Sequence, residues 1–567
     1  MKLCLATVLL LLLGAASGFA INREAFTFTD YVLEIRIEPQ QQRLAGRGTI
    51  RLRNDSPSPQ KNVVLQISSG LDWRSVQMSG RSVQFVSQSY ASDVDHTGSL
   101  SEAIVSLPQA IAPQGTVELE IGYEGVIQAD VTRLTRIGVP AKDAAHSDWD
   151  QIGKSFSAVR GIGNVVWYPV ATESATLSDG NSVFEAVGRW RQREALSQMM
   201  LTMCLPEESA QVLVMNDPGS GSETQPFCTQ HRFQPLGNVV PSFTIGDYSK
   251  VDRPAGSIFY LPGQRPRADD YALAADAVAP LVTEWFGTAK QPGKVVALAD
   301  DDASPFESGG TLFAPLRAFT DSRQAQLTAV HQLTHAALPS SRQWIYEGAA
   351  HFAQALYREQ QGGRGAATEY LQSHAAGLAD AEKASVADAS QATSNSLVST
   401  AEETFYRSKA MYVWWMLRDL VGDPALEKAL QQYRPEKDTE PSYVQRLVQA
   451  QTQRDLEWFF DDWVYRDHGL PDFRVETATL RPTVGGGFVV TVTVINTGSA
   501  GAEIPVRAVT AEGEVSHRLL VPGKGKAVIR LETPSTPQRI EINDGSVPES
   551  DTSNNLYKID ASAVPGN

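Results

Sequence analysis

The sequence predicts a multidomain α+β protein, and three observations carry that reading. At 567 residues and 42% apolar content, the chain is longer than one hydrophobic core accommodates and rich enough in apolar side chains to build several. Its first and last parts alternate apolar and polar residues in short runs, as half-buried strands do. Its middle repeats apolar residues every three to four positions, as helices with one buried face do. A β-rich N-terminal domain, a mainly helical middle domain and a C-terminal β-sandwich are expected.

In chain order, residues 1–20 carry Lys2, the apolar run Val8 to Leu13 and small residues ending in Gly18-Phe19-Ala20. This is the pattern of a cleaved signal peptide, which predicts a secreted or periplasmic product. No later stretch has the roughly 18 apolar residues a membrane span requires, so no transmembrane span is expected. Residues 21–250 alternate in segments such as Tyr31-Val32-Leu33-Glu34-Ile35-Arg36-Ile37 and Val117-Glu118-Leu119-Glu120-Ile121, separated by turn residues. Cys204 and Cys228 remain once the signal is removed. In an oxidising compartment they are expected to pair around a hairpin at Gln211 to Gly219, with two buried thiols as the alternative.

Residues 251–470 hold the helical periods: Arg267 to Phe286, Asp321 to Leu338, Gln343 to Gln361 and Glu403 to Val421. The second starts with Asp321 as N-cap and Gln324 at N3, and stops before Pro339. Ala384 to Thr400 is poor in apolar residues and reads as a loop. In residues 471–567 alternation returns in Phe488 to Ile495 and Ala527 to Leu531, which predicts an immunoglobulin-like sandwich.

Acidic residues outnumber basic ones by 65 to 49, a formal charge of −16, which leaves no basic footprint for a phosphate backbone. Nucleic acid is not an expected partner. Neither a phosphate-cradling glycine loop nor a nucleophile elbow is present.

The informative segment is Ala329-Val330-His331-Gln332-Leu333-Thr334-His335. Histidines four apart on a helix stand one turn above each other, so His331 and His335 can reach one tetrahedral metal. Alone, they would read as two surface histidines. In the next helix Ile345, Ala349, Phe352 and Leu356 form an apolar stripe, and Glu347 lies about 200° around from Ile345, free to supply a third, oxygen ligand. Two histidines and a glutamate with an open fourth position are the arrangement of a catalytic Zn2+ ion, which is the expected cofactor. His351, one turn beyond Glu347, reads as a packing or ligand-orienting residue, with contact to metal or substrate as the alternative.

These segments resemble the alanyl-aminopeptidase-type zinc metallopeptidases, the gluzincins. His331 and His335 match the zinc helix, and Trp344-Ile345-Tyr346-Glu347-Gly348 matches the Trp-x-x-Glu-Gly helix that supplies the third ligand. Pro305-Phe306-Glu307-Ser308-Gly309-Gly310 looks like the segment whose glutamate grips a free amino terminus, and Glu307 keeps the family's interval of 24 residues to His331. Thr404 to Tyr412 resembles the segment whose tyrosine donates to the oxyanion. That points to Tyr406, with Tyr412 as the alternative. Tyr123-Glu124-Gly125 and Phe243 to Tyr248 extend the likeness into the β-rich part. The resemblance implies a saddle-like N-terminal domain and a thermolysin-like catalytic domain.

Four departures qualify the match. Gln332 stands where the family has the glutamate that takes a proton from the attacking water. An amide cannot accept that proton, and general-base help is typically worth 10²–10⁴-fold. Eleven residues separate His335 from Glu347, fewer than the family's usual interval, which would place Gln354 at the ligand. Tyr406 precedes Lys409 by three positions instead of two. The segment after Pro471 alternates as strands do and does not resemble the large C-terminal helical domain of many members. The resemblance implies an exported zinc-dependent metallopeptidase of the aminopeptidase type, acting on a peptide or protein near its free N-terminus, with Gln332 attenuating hydrolysis. Gln332→Glu is expected to raise activity by orders of magnitude. The rival reading is a non-catalytic zinc-cleft protein that binds peptides or a partner, and a metal-free scaffold is a third.

Overall fold

The N-terminal alternation builds sheets whose inward residues are almost all buried. The computed structural model describes residues 21–206, 210–219, 221–317, 322–387, 396–484 and 486–559, so the expected signal peptide and the Asp321 cap lie outside the described residues. Phe26–Glu38 runs through an eight-stranded sheet, antiparallel to Arg43–Asn54 and parallel to Gln198–Cys204. A three-stranded sheet of Gln60–Ser68, Ser99–Ile111 and Phe85–Ala91 adds to it. Ile35, Leu44, Leu52, Leu65, Ile67 and Val105 are wholly buried in their shared core. The helix α1 (Ser182–Glu194) contributes Ala186 and Trp190 to that core.

Cys204 and Cys228 are bonded, facing each other across the antiparallel ladder of Gln198–Cys204 and Cys228–Phe233. The hairpin expected between them does not form as such. Val212–Met215 leaves this sheet and pairs with Phe243–Gly246 in a separate four-stranded one.

The middle of the chain carries a five-stranded sheet that its helical periodicity does not reveal. Its strand order is Ser249–Arg253, Gly256–Tyr260, Gly293–Ala297, Thr311–Ala314, Phe306–Ser308. The expected helices then follow as α2 (Arg265–Phe286), α3 (Ser322–Ala337) and α4 (Gln343–Gln372). The last is longer than expected because the chain continues past a break at Gly363. Next comes α5 (Ala375–Ala387), which runs into the stretch expected to be a loop; residues 388–395 of that stretch lie outside the described residues. A π-helical turn at Phe405–Lys409 leads into α6 (Ala410–Val421). Trp414 and Trp415 on α6 are fully buried, Trp414 stacked on Trp344.

Beyond Phe473 the strands form a three-stranded and a four-stranded antiparallel sheet. Val490, Val492, Ile504, Val506 and Ile540 belong to the same continuous apolar cluster as the helices, so packing does not break where the composition changes. Among the described residues, no helix is long and apolar enough to cross a membrane.

Candidate metal centre

Two elements deliver the acids and one the imidazoles. Glu307 sits on the short strand Phe306–Ser308, turned back onto Thr311–Ala314 by Gly309-Gly310. Both glycines have positive φ, 65° and 72°, which a two-residue hairpin turn of this kind requires. On α3 the rings of His331 and His335 stand 4.6 Å apart, one turn from each other. On α4 Glu347 points away from the apolar stripe, as its helical phase requires, toward these rings.

The side chains meet at short range. His331 Nε2 lies 3.8 Å from Glu307 Oε2 and 3.8 Å from Glu347 Oε2, and His335 Nε2 lies 3.9 Å from Glu347 Oε1. Glu307, His331 and His335 present ligand atoms that all fall within 4.8 Å of one another. The structure therefore brings together the predicted residues His331, His335, Glu347 and Glu307.

His335 is held most tightly. Its Nδ1 is 2.9 Å from Glu307 Oε1, and its ring stacks on Tyr346 at 3.8 Å between centroids. A carboxylate accepts only, so Nδ1 carries a ring hydrogen, and in the neutral ring Nε2 keeps its lone pair. That Nε2 is buried and has no hydrogen-bond partner. A bare buried nitrogen of this kind, among carboxylates, fits a metal. Glu347 meets the two rings through different oxygens, Oε2 toward His331 and Oε1 toward His335, whereas Glu307, His331 and His335 each turn one ligand atom to a common place.

The electrostatics differ between the two imidazoles. Burial pushes the His331 imidazole pKa down, in spite of Glu307 and Glu347. For His335 burial acts the same way, but the attraction and hydrogen bond of Glu307 outweigh it and the pKa is raised. Burial opposes the charge on Glu347, yet Arg407 and both histidines hold it well below the usual carboxylate range.

Gln332 does not face this cluster. Its Nε2 donates to the backbone oxygens of Lys294 and Gly310 at 2.9 and 3.1 Å, and its Oε1 accepts from the Tyr271 hydroxyl at 3.3 Å. The amide ties α3 to the five-stranded sheet. A glutamate with the same conformer would set its oxygens against two carbonyl groups, which removes the basis for expecting a gain from Gln332→Glu.

Gln354 is also engaged away from the cluster, donating to Leu327 O at 3.1 Å and accepting from the Tyr370 hydroxyl at 2.8 Å. Tyr412 is core, only 1% exposed. Tyr406 is buried too, and burial pushes its phenol up to about 12, while the charges of Arg407 and Glu347 reach it.

Sequence reasoning did not single out Arg407, Tyr346 or Arg191. Arg407 donates to Glu347 Oε2 at 3.1 Å and also pairs with Glu403. Arg191 on α1 has no acid partner among the described residues, and its charge reaches Tyr346 and Tyr406. An arginine directly after the matched Tyr406 was the one available signal.

No protein-family model matches the chain, and no curated protein matches it by sequence. Among solved structures the chain is similar to a glutamate-to-alanine mutant of an M1 zinc metallopeptidase from Deinococcus radiodurans, at 16% identity over 79% of this chain and 96% of that one, with a TM-score of 0.43. The same mutant bound to a Tyr-Ser-Ala substrate matches at 16% identity over 79% and 96%, with a TM-score of 0.44. A two-domain M1 zinc metallopeptidase mutant bound to L-arginine matches at 16% identity over 75% and 91%, with a TM-score of 0.45.

Proposed function

We propose that this chain is an exported zinc-dependent metallopeptidase of the aminopeptidase type, with hydrolysis attenuated by Gln332. One observation carries the metal: His335 Nε2, buried and without a partner, opposite Glu347 and beside His331. His331, His335 and Glu347 would hold Zn2+, which supplies a Lewis acid for a scissile carbonyl and its attacking water.

The remaining roles fall to the chain's own groups. Glu307 fixes the His335 tautomer through Oε1 and keeps Oε2 for a substrate's free amine. Tyr406, protonated throughout the physiological range, is the hydroxyl donor for the developing oxyanion. Arg407 neutralises Glu347 until a cation does so. With the side chain of residue 332 held by Lys294, Gly310 and Tyr271, no base from this position reaches the water, so turnover is expected to fall short of a site with a positioned general base by the 10²–10⁴-fold that such a base is worth.

Export is supported by the character of residues 1–20 and by the Cys204–Cys228 bond. Mass spectrometry of the processed N-terminus checks it. The helical part is read as a thermolysin-like catalytic domain, and the C-terminal pair of sheets as an immunoglobulin-like sandwich.

The engagement of the Gln332 amide by Lys294, Gly310 and Tyr271 favours a second reading, a zinc cleft that binds peptides without turning them over. Aminoacyl-anilide hydrolysis by the zinc-loaded chain decides between the two. Slow turnover abolished by His331→Ala supports the peptidase. Peptide binding with no turnover supports the second reading.

A further inference from the structure

Beside the cluster a third imidazole has a bare nitrogen. Glu347 and His351 stand four apart on α4 and leave it on one face. The His351 ring meets that of His331 edge-on, at 5.0 Å between centroids.

A chain of hydrogen bonds fixes the His351 tautomer. Gln354 donates Nε2 to Leu327 O at 3.1 Å, which turns its Oε1 toward Tyr370. The Tyr370 hydroxyl gives its hydrogen to that Oε1 at 2.8 Å. With that hydrogen committed, the Tyr370 oxygen can only accept from His351 Nδ1, 3.3 Å away. The ring hydrogen is therefore on Nδ1, and Nε2 keeps its lone pair. That Nε2 is buried and has no hydrogen-bond partner.

We propose that His351 is a further protein ligand of the metal, completing a set of His331, His335, Glu347 and His351. Gln354 and Tyr370 are positioning residues, doing for His351 what Glu307 does for His335. Ligating histidines are commonly fixed through the other ring nitrogen in this way. The inference rests on the zinc reading above and bears on its second form, a zinc cleft that binds without turning peptides over. Four protein ligands fill a tetrahedron, the arrangement of zinc sites that hold the ion, whereas catalytic sites leave one position open. A closed coordination sphere and the diverted amide of Gln332 act in the same direction, restraining hydrolysis.

The test loads the full chain with Zn2+ and Co2+. X-ray absorption of the zinc-loaded wild type is expected to count three imidazole rings, and this needs no variant. Chelator competition is expected to show one ion per chain. Tyr370→Phe should weaken binding about 10–100-fold without changing the visible Co2+ bands. His351→Ala should weaken it further and change those bands. Two imidazoles in the wild type, or a folded His351→Ala with unaltered affinity and spectrum, overturns the inference and leaves the zinc reading standing. A wild type that binds no ion, or that binds as His331→Ala does, overturns both.

Discussion

Gln332 lies in the motif but is used by the fold. Because its amide donates to Lys294 O and Gly310 O, Gln332→Glu removes two hydrogen bonds and sets an anion against two carbonyls. The substitution is expected to cost on the order of 1–3 kcal/mol in urea unfolding and to raise anilide turnover by less than about tenfold. A gain of several orders with full stability would show that residue 332 swings to the metal. Glu194 offers a test unrelated to the cluster. Wholly buried, its carboxyl is pushed up to about 7 by desolvation, in spite of Arg193 and Ser197. Between the unfolded value near 4.5 and about 7 the native state binds more protons, so stability falls as pH rises through that window. Glu194→Gln should abolish a loss on the order of 3 kcal/mol, read as the variant-minus-wild-type difference in unfolding free energy at pH 4 and pH 8. The sequence exposed His331, His335, Glu347 and Glu307 because each is marked by its spacing or by the residues beside it. It could not expose the stacking of Tyr346, or the pairing of Arg407 with Glu347 across 60 positions, because only tertiary packing makes those contacts.

At the scale of elements, α4 owes its direction to one residue. Gly363 has φ 74° and ψ −178°, with nothing within 4 Å of an added Cβ, so Gly363→Ala meets backbone strain alone, about 1–3 kcal/mol. Gly365 in the same helix also has open space but needs no positive φ, and Gly365→Ala should stabilise by up to about 1 kcal/mol. Opposite signs in thermal melts would confirm the break, and equal signs would deny it. The Cys204–Cys228 bond closes a separation of 24 residues, so replacing both with alanine should cost about 3 kcal/mol, lowering the urea midpoint. The long helices were legible because their apolar period is sustained. The five-stranded sheet was not, because strands such as Gly293–Ala297, buried at every position, show no alternation. The last turns of α5 were missed because Ala384 to Ala387 has almost no apolar bulk to mark a period.

At the scale of the whole molecule, one apolar cluster runs from the five-stranded sheet through the helices into the C-terminal strands. α3 and α4 are embedded in that cluster and carry the ligands between them, so metal binding is coupled to the stability of this entire part. Zinc at 100 times its dissociation constant should add about 2.7 kcal/mol and make the melting temperature depend on zinc concentration. The central claim is that His331, His335 and Glu347 close around a single divalent ion. Elemental analysis of the purified chain and of His331→Ala and Glu347→Gln tests it most directly. One zinc per wild-type chain, lost from both variants, is the result the account predicts. A metal-free wild type, or variants that retain the ion in full, would contradict it.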